Sequence, residues 1–262
     1  MQQRRVRYGA SGGIATIELD NPPANAYSHE MMRQLDAAIL EARFDAEVHV
    51  IVLRGRGARF FCAGADIEML QAAEAHFKYY FCLHANETLN RLEQTPKLVI
   101  AALNGHTVGG GLEIALAADL RVARKGGGKI GLPEVNLGVL PGTGGTQRLA
   151  RSLGKAKAIE LMVCGRTFEF EEALALGLIQ RLLEGVDFDA EVRQYAEQFL
   201  PPGRAPRAIG SIKRAVQSGL ETSFHEGLAL ERELQQQLFQ SDDAQEGLQA
   251  FRDRRKAQFR GA

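Results

Sequence analysis

The amino-acid sequence predicts an α/β fold, on three observations. Ile14–Leu19 (IATIEL) alternates Ile17 and Leu19 against Thr16 and Glu18, the period of a half-buried strand. Residues 48–53 (VHVIVL) are a mostly apolar, β-branched run of the kind buried on both faces of a sheet. Between them, Met31, Leu35, Ala38, Ile39 and Ala42 fall on one face of a helix for which Ser28 is the N-cap. Strand, helix and strand at this spacing make a βαβ-type unit.

The remaining elements follow in order. Asn21-Pro22-Pro23 ends the first strand, because proline cannot donate to a ladder and restricts the residue before it. Residues 54–59 are a Gly/Arg loop leading to FFCAGADI, and residues 68–91 read as helical, with aromatics at Phe77, Tyr79, Tyr80 and Phe81. From the residues alone, such a cluster is more often core than a ligand box. Pro96 and Lys97 introduce a second apolar strand, Leu98–Leu103, and Asn104-Gly105 turns the chain. A helix from Leu112 to about Ala118 and short strands at 121–123 and 129–132 come next, with Gly126-Gly127-Gly128 as a hairpin loop. After Pro141 the pattern is helical to the end: Lys155–Val163 stops at Gly165 and residues 171–176 stop at Gly177. Pro201 and Pro202 close a further helix and divide a segment 1–200 from a helical segment 201–262, whose helices span 205–218, 223–239 and 243–258. These last helices carry charge on wide faces, so they pack on their own domain or on a neighbouring subunit.

Composition excludes several classes. The chain has 262 residues, 45% of them hydrophobic and 24% charged, ordinary values for a globular protein able to bury a core. Lys plus Arg balances Asp plus Glu at 32 each, so nothing global invites nucleic acid or an anionic membrane. Cys62, Cys82 and Cys164 are odd in number, widely spaced and lack a CxxC pair, which argues against a disulfide framework or a zinc site and for a reducing, cytoplasmic location. The N-terminal MQQRRVRYGASGG is charged with no apolar stretch behind it, so it does not read as a secretory signal, and no run has membrane-spanning length. His76 and His84 lack metal-ligand spacing, and His106 reads as a turn or packing residue. No metal site is expected. No glycine cluster meets GxxxxGK[ST], and Gly142, Gly144 and Gly145 have the wrong spacing for GxGxxG, which argues against a nucleotide-phosphate loop.

The chemistry concentrates in residues 104–148. Gly109, Gly110 and Gly111 lead into an apolar helix carrying one carboxylate, Glu113, and a second carboxylate, Glu134, stands between Pro133 and Val135. Glycines before a helix let backbone N–H groups approach a ligand closely, and helix N-termini favour negative charge. Two glutamates near such a turn have the residue types of a general acid and base. Each alone reads equally as a surface charge. Cys62 has no neighbouring base evident and reads as a packed turn residue.

The ordered motifs resemble the crotonase family, also called the enoyl-CoA hydratase/isomerase family. FCAGADI (61–67) resembles its F-x-A-G-A-D block. GGGLE, PEVNLG and PGTGGTQRL resemble its second block, and FQSDDAQEGLQAFRDRRKAQF its C-terminal segment, so the resemblance covers about residues 5–260. It implies a ββα spiral core with a C-terminal helical trimerisation region, a homotrimer or dimer of trimers, and an acyl-CoA thioester substrate with no further cofactor. It assigns oxyanion-hole N–H groups to Ala65 and Gly110 and the acid–base pair to Glu113 and Glu134. CoA contacts are implied at Ala24, Ala63, Asp66 and Ile67, with Phe251 and Arg254 contributed by a neighbouring subunit. Hydration as the family performs it uses both glutamates, so an enoyl-CoA hydratase is expected. An isomerase, a ring-specific hydratase or hydrolase, and a non-catalytic RNA-binding scaffold are the other branches. One departure stands out: NPPANAY (21–27) has proline where family members often carry a lysine near the CoA phosphates.

Overall fold

Two sheets organise the chain in the computed structural model, which describes residues 3–262; Met1 and Gln2, at the start of the charged N-terminal stretch, lie outside the described residues. β1 (Val6–Ser11) and β2 (Ile14–Leu19) form an antiparallel hairpin. Helix α1 (His29–Phe44) then returns the chain so that β3 (Val50–Gly55) runs parallel to β2, the expected βαβ unit. Ser28 caps α1, its hydroxyl accepting the Met31 N–H at 3.3 Å.

From there consecutive strands go to different sheets. β4 (Phe60–Cys62) precedes helices α2 (Ile67–Ala72) and α3 (Ala75–Glu93). β5 (Leu98–Leu103) and β6 (His106–Val108) precede α4 (Gly110–Leu116). β7 (Leu120–Arg124) and β8 (Lys129–Gly131) precede a 3-10 turn (Glu134–Leu137), α5 (Gly145–Leu153) and α6 (Lys155–Val163). The larger sheet has the order β1-β2-β3-β5-β7 and the smaller begins β4-β6-β8, so each strand pair and its helices advance one step along both sheets. β9 (Phe168–Glu169) extends the smaller sheet, α7 (Phe170–Ala175) follows, and β10 (Arg181–Leu183) closes the larger one.

Burial on both faces explains the β3 sequence. Ile51 and Leu53 join Ile17 and Leu19 in the main core, while Val50 and Val52 pack on the opposite face with Val192 and Ala196 of α8 (Phe188–Glu197). The aromatic run on α3 divides likewise: Phe81 is buried, whereas Phe77, Tyr79 and Tyr80 are exposed.

The C-terminal helices α9 (Pro206–Gly219), α10 (Phe224–Phe239) and α11 (Asp242–Arg252) contact the spiral mainly through α9. There Lys213 Nζ reaches Asp119 Oδ2 at 2.8 Å and the Lys97 carbonyl at 3.1 Å, with both side chains of the ion pair buried. Ile212, Val216, Leu220, Phe224 and Phe239 remain exposed.

Several expectations are corrected. The 126–128 glycines do not close a hairpin; they carry the chain from one sheet to the other, because β7 pairs with β5 and β10 while β8 pairs with β6 and β9. The chain after Pro141 is not wholly helical, since β9 and β10 are held as short strands by β8 and β7. The 68–91 helix is broken at Ala73, where extended backbone separates α2 from α3. The last helix ends at Arg252 instead of Gln258. Arg254 takes a left-handed conformation (φ 52°), and the chain turns back until the Arg260 and Gly261 N–H groups reach the Asp243 carboxylate at 2.7 and 2.8 Å. Among the described residues, no helix is long and apolar enough to cross a membrane.

Candidate active site

The turn between β6 and α4 is built where only glycine fits. Gly109 has φ +57°, and a Cβ there would stand 3.1 Å from Oε1 of Glu134. A Cβ on Gly110 would lie 2.5 Å from the ring and hydroxyl of Tyr27. As the first residue of α4, Gly110 has an N–H with no acceptor inside the helix.

A second turn meets this one. A Cβ on Gly64 would lie 3.1 Å from the Gly110 nitrogen. Next to Gly64, Ala65 is bridged to Tyr27: the Tyr27 N–H donates to the Gly64 carbonyl at 2.9 Å and the Asp66 N–H to the Tyr27 carbonyl at 3.0 Å. Both bonds bypass the Ala65 N–H itself. The Ala63 N–H donates to the Ala24 carbonyl at 3.1 Å, which draws the 21–27 loop against the same turn. Asp66 caps α2 by accepting the Met69 N–H at 3.0 Å, and Ile67 is exposed at the start of that helix. Thus Ala24, Ala63, Ala65, Asp66, Ile67 and Gly110 gather around one spot. Phe251 and Arg254 do not join them. Both are exposed, Phe251 in the last turn of α11 and Arg254 just past its end, and the tail beyond them reaches Pro206 and His49, just before β3, whereas the Ala24 loop follows the opposite, outgoing end of β2.

The two carboxylates have different surroundings. Glu113, buried on α4, accepts the Thr143 N–H at 2.8 Å and the Gly145 N–H at 2.7 Å on Oε1, and the Thr143 hydroxyl donates to its Oε2. Burial pushes its pKa above the usual carboxylate range, and these three hydrogen bonds, with the Arg148 charge, oppose the rise. Glu134 opens the 3-10 turn after β8. Its Oε2 is buried with no hydrogen-bond partner in the protein. Burial, reinforced by the charge of Glu113, lifts its pKa to about 7. One carboxylate is therefore held by fixed donors, and the other retains a proton near neutrality and presents an unpartnered oxygen, the separation of environments expected of a base and an acid.

Thr143 and Gly145, which donate to Glu113, and Tyr27, which bonds Thr143, escaped the sequence reading. The signal lay in PGTGGTQR, which marked a family block without indicating what its residues touch. Cys62 is a packing residue, as expected: its sulfur accepts the Gly64 N–H at 3.4 Å, and burial pushes its thiol up to about 12. His106 Nδ1 accepts the Lys129 N–H at 3.0 Å and its ring packs on Phe60. Among the described residues, no group of three or more His, Cys, Asp or Glu side chains could hold a metal ion.

A spiral that stacks paired strands into two sheets, with glycine turns meeting between them, is the crotonase fold. The family model described as enoyl-CoA hydratase/isomerase matches residues 9–262, and the chain belongs to that family. The Bacillus subtilis (strain 168) protein YngF, named for the same family, is 39% identical over 250 residues, 95% of each chain. The short-chain-enoyl-CoA hydratase of Clostridium acetobutylicum is 33% identical over 257 residues, 98% of this chain and 97% of that one. The crystal structure of an enoyl-CoA hydratase from Geobacillus kaustophilus HTA426 superposes with a TM-score of 0.96 at 42% identity, covering 100% of this chain and 98% of that one.

Proposed function

We propose that the protein is an enoyl-CoA hydratase that adds water syn across the 2,3 double bond of an enoyl-CoA thioester to give the 3-hydroxyacyl-CoA. The observation that carries this reading is the pair of glutamates at one glycine turn, Glu113 fixed by three donors and Glu134 with a buried, unpartnered oxygen and a pKa raised by burial to about 7. In the reaction, Glu113 takes a proton from water as its oxygen bonds to C3. The C2–C3 π electrons move toward the thioester, and the carbonyl oxygen gains enolate charge. The N–H groups of Ala65 and Gly110 stabilise that charge, an effect of roughly 2.7–4 kcal/mol per donor in other oxyanion holes. Glu134 delivers its proton to C2, and exchange with solvent restores both carboxyls.

Ala24, Ala63, Asp66 and Ile67 border the CoA moiety in this reading, and no cofactor beyond the substrate's own CoA is required. Phe251 and Arg254 serve a neighbouring copy, which fits their distance from the site in their own chain. The exposed apolar residues of α9 and α10 support assembly as a trimer or dimer of trimers; light scattering that finds a stable monomer at micromolar concentration would refute it.

The decisive assay is loss of the conjugated thioester's ultraviolet absorbance on adding a panel of straight, branched and cyclic enoyl-CoAs without metal or redox cofactor. Migration of the double bond without hydration would identify an isomerase instead. No turnover with any of them would leave a binding scaffold.

A further inference from the structure

One residue outside the acid–base pair reaches both glycine turns and the Thr143 donor of Glu113. Tyr27 is buried, stacked on Phe81 with ring centroids 5.6 Å apart, and its hydroxyl lies 3.3 Å from the Thr143 hydroxyl. The direction of that bond follows from counting hydrogens. Thr143 has one hydroxyl hydrogen, which it donates to Oε2 of Glu113, so the bond between the two hydroxyls must be donated by Tyr27. The chain of donors runs from the phenol through Thr143 to the carboxylate. At the same time the Tyr27 ring fills the space beside Gly110, and its backbone N–H and carbonyl bracket Ala65.

We propose that Tyr27 is a positioning residue that, through Thr143, holds Glu113 ionised and in register with the Ala65 and Gly110 turns; this role rests on the hydratase reading above. A donor that is itself hydrogen-bonded by a second donor is polarised and donates more strongly, which favours the charged form of the acceptor. The other groups facing Glu113 are Arg148 on α5, whose charge favours the carboxylate, and Glu134 on the 3-10 turn and Cys82 on α3, both of which interact with the Glu113 charge. Burial and the Glu113 charge hold the Tyr27 phenol well above its ordinary pKa, so it stays a donor across the working range.

The test uses Tyr27→Phe, which keeps the ring and removes the hydroxyl, with Thr143→Val and Thr143→Ser. The acid limb of the kcat/KM profile for hydration reports ionisation of the base in the free enzyme. Thr143→Val should move it up by about one unit, a roughly tenfold loss on the acid side. Tyr27→Phe should move it up by a smaller amount, on the order of a few tenths of a unit, with KM within about twofold of wild type. Thr143→Ser should restore it, and Tyr27→Phe should add nothing to Thr143→Val. A second readout needs no turnover: carbon NMR of carboxyl-labelled glutamates in the unliganded protein, with the Glu113 signal assigned by Glu113→Gln. If the wild type hydrates nothing, the hydratase reading fails, while that titration still tests the donor chain. An unmoved Glu113 titration in Tyr27→Phe, whether or not Thr143→Val moves it, overturns the role given to Tyr27. If Thr143→Val fails to fold, Tyr27→Phe and Thr143→Ser decide alone.

Discussion

The backbone N–H of Gly145 lies 2.7 Å from Oε1 of Glu113, its acceptor 32 residues earlier in the chain. This bond joins the start of α5 to the middle of α4 and fixes one carboxylate oxygen, while Oε2 of Glu134 has no partner. The asymmetry lets the two proposed roles be tested apart. Glu134→Gln should abolish hydration and also exchange of α-protons with solvent in a saturated acyl-CoA, followed by mass spectrometry in deuterium oxide. Glu113→Gln should lose hydration by roughly 10²–10⁴-fold and retain some exchange. Near-wild-type exchange in both variants would show that neither carboxyl moves the α-proton.

The rate should depend on pH through the same pair. The proposed reaction needs Glu113 ionised and Glu134 protonated, so kcat/KM should be bell-shaped, with an alkaline limb near the Glu134 pKa of about 7. The two limbs belong to the interacting pair, which must hold a single proton. A profile flat from pH 6 to 9 would remove Glu134 as the acid.

Stability carries the same signature with a defined sign. Burial raises the folded-state pKa of Glu134 above the ordinary value of 4.5, so between pH 4.5 and about 7 the folded protein binds more protons than the unfolded chain. Stability from this group therefore falls as pH rises through that window and levels off above it. Glu134→Gln lacks this term. Compared with wild type by urea denaturation, it should gain stability above pH 7 relative to its difference at pH 4.5. A difference that does not change with pH would contradict the raised pKa.

Lys213 and Asp119 tie the C-terminal helices to the spiral through a buried ion pair, with side-chain exposures of only 5% and 12%. Lys213→Met removes the ion-pair partner of the Asp119 carboxylate and leaves it only the Val99 N–H, the Gln217 amide and the Arg121 charge, so it should cost up to about 3–5 kcal/mol. The expected readout is a fall in thermal midpoint of roughly 10 °C. Adding Asp119→Asn should recover part of that loss, since it removes the stranded charge. If Lys213→Met is as stable as wild type, the ion pair does not hold α9, and apolar packing with the Gln217–Asp119 hydrogen bond does.

Local chemistry made much of this protein legible in its sequence. Alternation in β2, the double-sided burial of β3 and the Ser28 cap of α1 each depend on neighbours a few residues away. The glycines before α4 likewise announce a close approach, and both glutamates stand out as charges beside an apolar run. Tertiary structure decided the rest. β4, β6, β9 and β10 are two or three residues long, too short for a period to show, and exist because a neighbouring strand pairs with them. Nothing local says that residues 126–128 cross between sheets, or that Asp243 gathers the chain's last N–H groups. The difference between the surroundings of Glu113 and Glu134 is also tertiary. Proton affinity depends on how much water is excluded and which donors arrive, and those donors come from Thr143 and Gly145, some 30 residues further along the chain.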